Sequence, residues 1–189
     1  MTLPLIRESQ VALRSAATAW LEQDPDETTR AELTTLLDRL GELNAPGEKI
    51  TDDDTSDRAD AWREVRDRFA TRLQFGTAGL RGRQGAGSNR MNRVVVAQAA
   101  RGLADFLRSR GDTATSVVIG YDARINSDIY ARDTAELMQA AGVRATLLPR
   151  ALPTPVTAFA VRHLHASAGV MVTASHNPKW DNGYKVYLG

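Results

Sequence analysis

Gly169-Val170-Met171-Val172-Thr173-Ala174-Ser175-His176-Asn177-Pro178 runs on through Lys179-Trp180-Asp181-Asn182-Gly183 into Tyr184-Lys185-Val186-Tyr187-Leu188. Ala168 to Val172 is short, rich in β-branched residues and free of polar alternation, so it reads as a buried strand. The strand breaks into a polar cluster, and Asn182-Gly183 reads as a turn because both residues tolerate positive φ. A second apolar run from Tyr184 to Leu188 follows. A hydroxyl, an imidazole and an amide thereby crowd the carboxyl end of a strand, where open α/β sheets bind ligands. Ser175 is the candidate nucleophile, with His176 and Lys185 as proton-handling or charge-bearing groups. The flanking Ala174 and His176 do not make the glycine-flanked elbow of serine hydrolases, which argues against acyl transfer.

Composition narrows the classes. Of 189 residues, 42% are hydrophobic, enough for a real core. The 24 basic and 23 acidic residues nearly cancel, which argues against a nucleic-acid footprint. There is no cysteine, hence no disulfide framework and no thiolate metal site. No apolar run approaches the roughly 20 residues of a membrane span, and the N-terminus lacks a signal-peptide pattern. A soluble, cytoplasmic protein without membrane or nucleic-acid partners is expected.

Working outward, residues 5–23 carry an amphipathic helix, and a second helix is expected from Asp24 (cap) and Pro25 to Gly41. Trp20 and the leucines of this pair are packing residues. Asp52-Asp53-Asp54 invites a metal hypothesis, but its Pro/Gly/Thr-rich setting fits a solvated loop better. Asp57 is expected to cap a helix over 58–73. From 94 onward the pattern alternates: a helix to Arg110, a strand Val117–Gly120, a helix from a Ser127-Asp128 cap to Ala141, and a strand Arg144–Leu148. A helix reaching Leu164 precedes the opening strand. That order is an α/β fold. His163 and His165, two apart, do not share a helix face as a metal pair would. Asp122 and Arg124 end a strand, and either a mutual salt bridge shaping the loop or direct substrate contact accounts for them.

A second motif, Phe75-Gly76-Thr77-Ala78-Gly79-Leu80-Arg81-Gly82, spaces glycines for close backbone approach around one arginine. A guanidinium fork suits paired hydrogen bonds to phosphate. Neither nucleotide-binding glycine fingerprint is present.

Thr173-Ala174-Ser175-His176-Asn177-Pro178, with Asn182-Gly183-Tyr184-Lys185 after it, resembles the phosphoserine loop of the α-D-phosphohexomutases, the phosphoglucomutase/phosphomannomutase family. Phe75 to Gly82 is similar to that family's N-terminal active-site loop, in a form closest to its phosphopentomutase-like and glucose-bisphosphate-related branch. The resemblance covers roughly residues 73–189, with 1–72 as a helical extension. It implies a three-layer α/β domain with a mixed, mostly parallel sheet.

It also implies an intramolecular phosphotransferase interconverting sugar 1-phosphate and 6-phosphate through a phosphoserine and a sugar 1,6-bisphosphate. Ser175, Lys185, Arg81 and His176 would be catalytic, with Thr173, Asn177, Asp122 and Arg124 in support. Mg²⁺ would touch Ser175 through its phosphate, the other ligands lying outside these residues along with the later domains. The 189 residues are therefore expected to be an N-terminal fragment, inactive alone. A hexose phosphate is the expected substrate, with phosphopentomutase as the alternative. A binding domain that kept the fold without catalysis is the reading from another class, and a phosphatase that hydrolyses the phosphoserine is a second enzyme reading.

Overall fold

The computed structural model describes residues 3–41, 56–111 and 115–189. The Asp52-Asp53-Asp54 run lies outside them. The chain divides into two compact units, Met1–Arg72 with Gly85–Arg90, and Leu73–Gln84 with Met91–Gly189.

In the first unit, α1 (Leu3–Gln23), α2 (Glu27–Leu40) and α3 (Asp57–Phe69) pack on one another. Trp20, Leu33, Leu36, Leu37, Leu40, Trp62 and Val65 are buried, and Trp20 meets Phe69 edge-on with centroids 5.9 Å apart. Two caps differ from the sequence expectation. Asp26, not Asp24, caps α2 by accepting from Thr28 N, while Asp24 takes Asp26 N and the Thr29 hydroxyl. Ser56, not Asp57, caps α3 through Ala59 N, leaving Asp57 in the first turn to pair with Arg39. Neighbouring acids and hydroxyls all satisfy the cap preference, and one residue of register decides among them.

The loop Gly85–Arg90 belongs to this unit because Arg68 holds it. Buried Arg68 pairs with Glu32 at 2.7 Å and Glu64 at 2.6 Å and donates to the Ala86 carbonyl. Its own carbonyl accepts Asn89 N at 2.9 Å. At Gly87 (φ +120°) a Cβ would fall 2.8 Å from that carbonyl, so only glycine fits.

The second unit is built on a five-stranded sheet, order β1-β5-β4-β2-β3, from β1 (Leu80–Arg83), β2 (Ser116–Tyr121), β3 (Arg144–Leu147), β4 (Ala168–Val172) and β5 (Asp181–Leu188). β2 pairs parallel with β3 and β4, while β5 is antiparallel to both β4 and β1, so β5 alone runs against the other four. This is an α/β fold. β2 and β4 are buried along nearly their whole length, as a central parallel pair requires. α5 (Ser127–Ala140) and α6 (Thr154–His163) pack on the sheet, and α4 (Arg93–Ser109), capped by Asn92, packs on α5. α6 comes so close that a Cβ at Gly120 would overlap the Thr157 hydroxyl, and one at Gly169 would overlap Val161.

Two local expectations are corrected. Leu80-Arg81-Gly82, read as part of a glycine-rich loop, lies in the strand Leu80–Arg83 at the sheet's end, because β5 supplies its ladder partners. Asn182-Gly183, read as a turn, lies inside β5 with both residues buried. Gly183 is there for space: a Cβ would sit 2.6 Å from Leu80 O and 2.7 Å from Thr173 O. The reversal falls earlier, within Ser175–Trp180. Among the described residues no helix is long and apolar enough to cross a membrane.

Candidate active site

All eight residues singled out by sequence lie in the second unit, around the carboxyl end of β4. Ser175 is exposed on the loop after β4 with φ +59°, a left-handed conformation that a non-glycine residue keeps only when its surroundings impose it.

Those surroundings are visible. Arg124 reaches the loop with both terminal nitrogens: Nη2 donates to Ser175 O at 2.8 Å and Asn177 O at 2.9 Å, Nη1 to Pro178 O at 2.7 Å and Asp181 O at 3.0 Å. Its Nε lies 3.3 Å from Asp122. One planar fork thus gathers three carbonyls of the loop and that of Asp181, the first residue of β5. Asp122 accepts from Thr173 Oγ1 at 2.6 Å, and that hydroxyl accepts Ser175 N at 3.0 Å. Asn177 ties the loop's far side through Nδ2 to Asp181 at 2.9 Å. Of the two accounts of Asp122 and Arg124, the geometry is that of the pair shaping the loop. His176 is exposed and makes no hydrogen bond or ion pair among the described residues.

Arg81 and Lys185 form the site's other half. Arg81 is paired with Gly183, two positions from Lys185 on β5, so the two side chains share one face of the sheet. The Lys185 ammonium is held below the usual lysine value, first by burial and then by the Arg81 charge, with Asp122 pulling the other way. Arg81 Nε is buried and has no hydrogen-bond partner among the described residues. Gly79, at φ +90°, lies against this pair: a Cβ there would be 2.4 Å from Tyr184 O and 3.0 Å from Lys185 Cα. Among the described residues no hydrogen bond joins Arg81 or Lys185 to Ser175.

Two residues that the sequence presented as a helix cap and a turn belong to the site's scaffold. Ser127 donates to Asp122 at 2.8 Å, and Asn182 Nδ2 donates to Ser127 Oγ and to Ile125 O, both at 3.0 Å. Their identities fit a cap and a turn equally well, so local pattern could not reveal this use.

Among the described residues no group of three or more His, Asp or Glu side chains could hold a metal ion. Asp122 is taken up by Thr173, Ser127 and Arg124, and Asp181 by Asn177. These residues do not make a cation site of their own. His163, one of the histidines weighed as a ligand, stacks on Phe159 at 5.3 Å.

The family model described as phosphoglucomutase/phosphomannomutase, alpha/beta/alpha domain I, matches residues 72–189. The chain is 66% identical over 99 residues to the "Probable phosphomannomutase" of Haemophilus influenzae, covering 52% of this chain and 20% of that protein. It is 40% identical over 178 residues to the phosphoribomutase of Saccharomyces cerevisiae, covering 93% of this chain and 25% of that one. A crystal structure of a candidate phosphomannomutase from Thermus thermophilus superposes with a TM-score of 0.57 at 34% identity, over 62% of this chain and 26% of that one. The chain spans 20% to 25% of the length of the two curated relatives.

Proposed function

The chain belongs to the phosphoglucomutase/phosphomannomutase family, and from that membership we propose that it carries the phosphoserine part of a sugar-phosphate mutase. The observation that carries this reading is the pair Arg81 and Lys185. Two cations share one face, the Arg81 Nε has no hydrogen-bond partner among the described residues, and the Arg81 charge disfavours the charge on Lys185. Such a pair gains most from an anion between its members.

In this reading Ser175 Oγ holds the phosphoryl group. A sugar-phosphate hydroxyl attacks phosphorus, the P–Oγ bond breaks as the new P–O bond forms, and the hydroxyl's proton ends on Ser175 Oγ. Lys185, whose proton is already loosened, handles that transfer. Arg81 takes up charge on the non-bridging oxygens, and His176 contacts the phosphate from the exposed side. The sugar 1,6-bisphosphate then turns round and returns its other phosphoryl group to Ser175. Thr173, Asn177, Asp122 and Arg124 hold the loop in register throughout. Mg²⁺, when bound, would neutralise charge on the phosphoserine, touching these residues only through the Ser175 phosphate.

We take a hexose phosphate as the first substrate to test and the cytoplasm as the compartment. A pentose phosphate is the second, because likeness to the yeast phosphoribomutase extends over 93% of this chain. The test uses the full polypeptide and glucose 1,6-bisphosphate: one phosphoryl group should appear on Ser175 by peptide mass spectrometry, and Ser175→Ala should abolish mutase turnover. Full turnover by Ser175→Ala would sink the reading. These 189 residues alone should show no turnover in a coupled assay.

A further inference from the structure

We propose that Asn182 and Ser127 are a buried positioning pair that registers the Ser175 loop against the strand carrying Arg81. The proposal rests on the phosphoserine reading above. Both residues are fully buried. Asn182 sits on β5 opposite Gly82, beside the Arg81 position. Its carboxamide is fully engaged: Nδ2 donates to Ile125 O and Ser127 Oγ, and Oδ1 accepts Gly183 N at 2.8 Å. From Ser127 the bonds continue to Asp122, from Asp122 to Thr173, and from Thr173 to the amide of Ser175. An unbroken polar chain therefore joins the Arg81 neighbourhood to the nucleophile's backbone.

The grip is reciprocal. Asn182 holds the 122–127 turn through Ile125 O, and Arg124 of that turn holds Asp181 O, the residue before Asn182. Asn126 adds a second tie, donating to Gln84 just past the end of β1 at 3.0 Å.

Local economy argues the same way. A serine beside a helix start ordinarily caps it, but here α5 begins after Asn126 at φ +63° with no side-chain cap, and the Ser127 hydroxyl goes to Asp122 instead. A broken local rule with a buried polar network behind it is the mark of a positional constraint. In-line phosphoryl transfer tolerates little error, and a displacement of about 1 Å costs up to about a hundredfold in rate.

The experiment compares Ser127→Ala, Asn182→Asp and Ser175→Ala in the full polypeptide, with glucose 1-phosphate and glucose 1,6-bisphosphate, well below each variant's melting temperature. Ser127→Ala should lower kcat about tenfold with KM within about twofold, the signature of misplacement rather than lost binding. Asn182→Asp turns an acceptor on the Ile125 carbonyl and should lower kcat further. If Asn182→Asp does not fold, Ser127→Ala decides alone. A folded Ser127→Ala with kcat within about twofold of the parent, or a loss confined to KM or melting temperature, overturns the proposal. If Ser175→Ala keeps its activity, the phosphoserine reading has failed instead, and the two failures are told apart.

Discussion

Arg124 and Ser175 are joined by a 2.8 Å hydrogen bond from the guanidinium to the serine carbonyl, one of four such bonds to residues 175–181. Lysine at 124 would keep the charge but lose the planar fork that reaches four acceptors at once. Arg124→Lys in the full polypeptide should therefore lower kcat by about tenfold or more, by the sensitivity of transfer to misplacement. The amide resonances of residues 175–181 should shift at the same time. Parent-like turnover with unchanged resonances would show that the loop holds itself.

The left-handed backbone of Ser175 has a consequence for stability. An L-residue there carries a penalty of about 1–2 kcal/mol that glycine escapes, partly offset by glycine's greater freedom when unfolded. Ser175→Gly should melt above Ser175→Ala, by the equivalent of roughly 0.5 kcal/mol. Calorimetry of the two variants checks this, and the reverse order would mean the loop relaxes to a different backbone once the hydroxyl is gone.

Lys185 offers a pH test. Its folded value lies below the ordinary one, so the unfolded chain binds more protons and stability rises with pH between the two values. Below that window the charged lysine counts against the fold. Burial is the larger cause and remains, but Arg81→Met removes the second one. The Lys185 value should rise toward normal and the alkaline gain in stability should shrink. Titration of the lysine side-chain resonances by NMR reads this directly, and an unchanged or lower value would show that Arg81 does not act on Lys185.

In the helical unit, Arg68→Met keeps most of the apolar stem but strips Glu32, Glu64 and Ala86 O of their shared donor. Removing one partner of a buried ion pair is costly, and the half-exposed glutamates moderate it, so about 2–3 kcal/mol of stability should be lost. Urea denaturation measures it, and a loss under about 0.5 kcal/mol would mean the loop 85–90 is held by its glycines alone.

How much of this was legible follows from where each signal is encoded. β4 and the helices from residue 93 onward announce themselves through apolar period and length, and the structure follows the sequence there to within a residue or two. β1 did not, because Leu80-Arg81-Gly82-Arg83 becomes a strand only when β5, distant in sequence, lends it hydrogen bonds. Asn182-Gly183 misled for a related reason. The pair is chosen for what surrounds it, a buried carboxamide and a backbone too near for a Cβ, and the same dipeptide serves turns elsewhere. Ser175, Lys185 and Arg81 stand out in the sequence by residue type and by their place in two motifs. The scaffold of Ser127 and Asn182 was hidden because the bonds that tie Asn182 to Ser127 and Ile125 cross more than fifty positions of chain.

The pairing of β1 with β5 also bears on how the molecule comes to be. Ser175 and Lys185 sit on one antiparallel unit, β4 to β5, whose closure needs only a short loop. Arg81 joins them across about a hundred residues of chain, the kind of contact whose entropy must be met before it repays anything. A chain refolding from denaturant is thus expected to hold its serine and lysine in a native-like hairpin well before it gains its arginine. Affinity for a phosphate-bearing ligand would then return later than strand structure, as a separate kinetic phase.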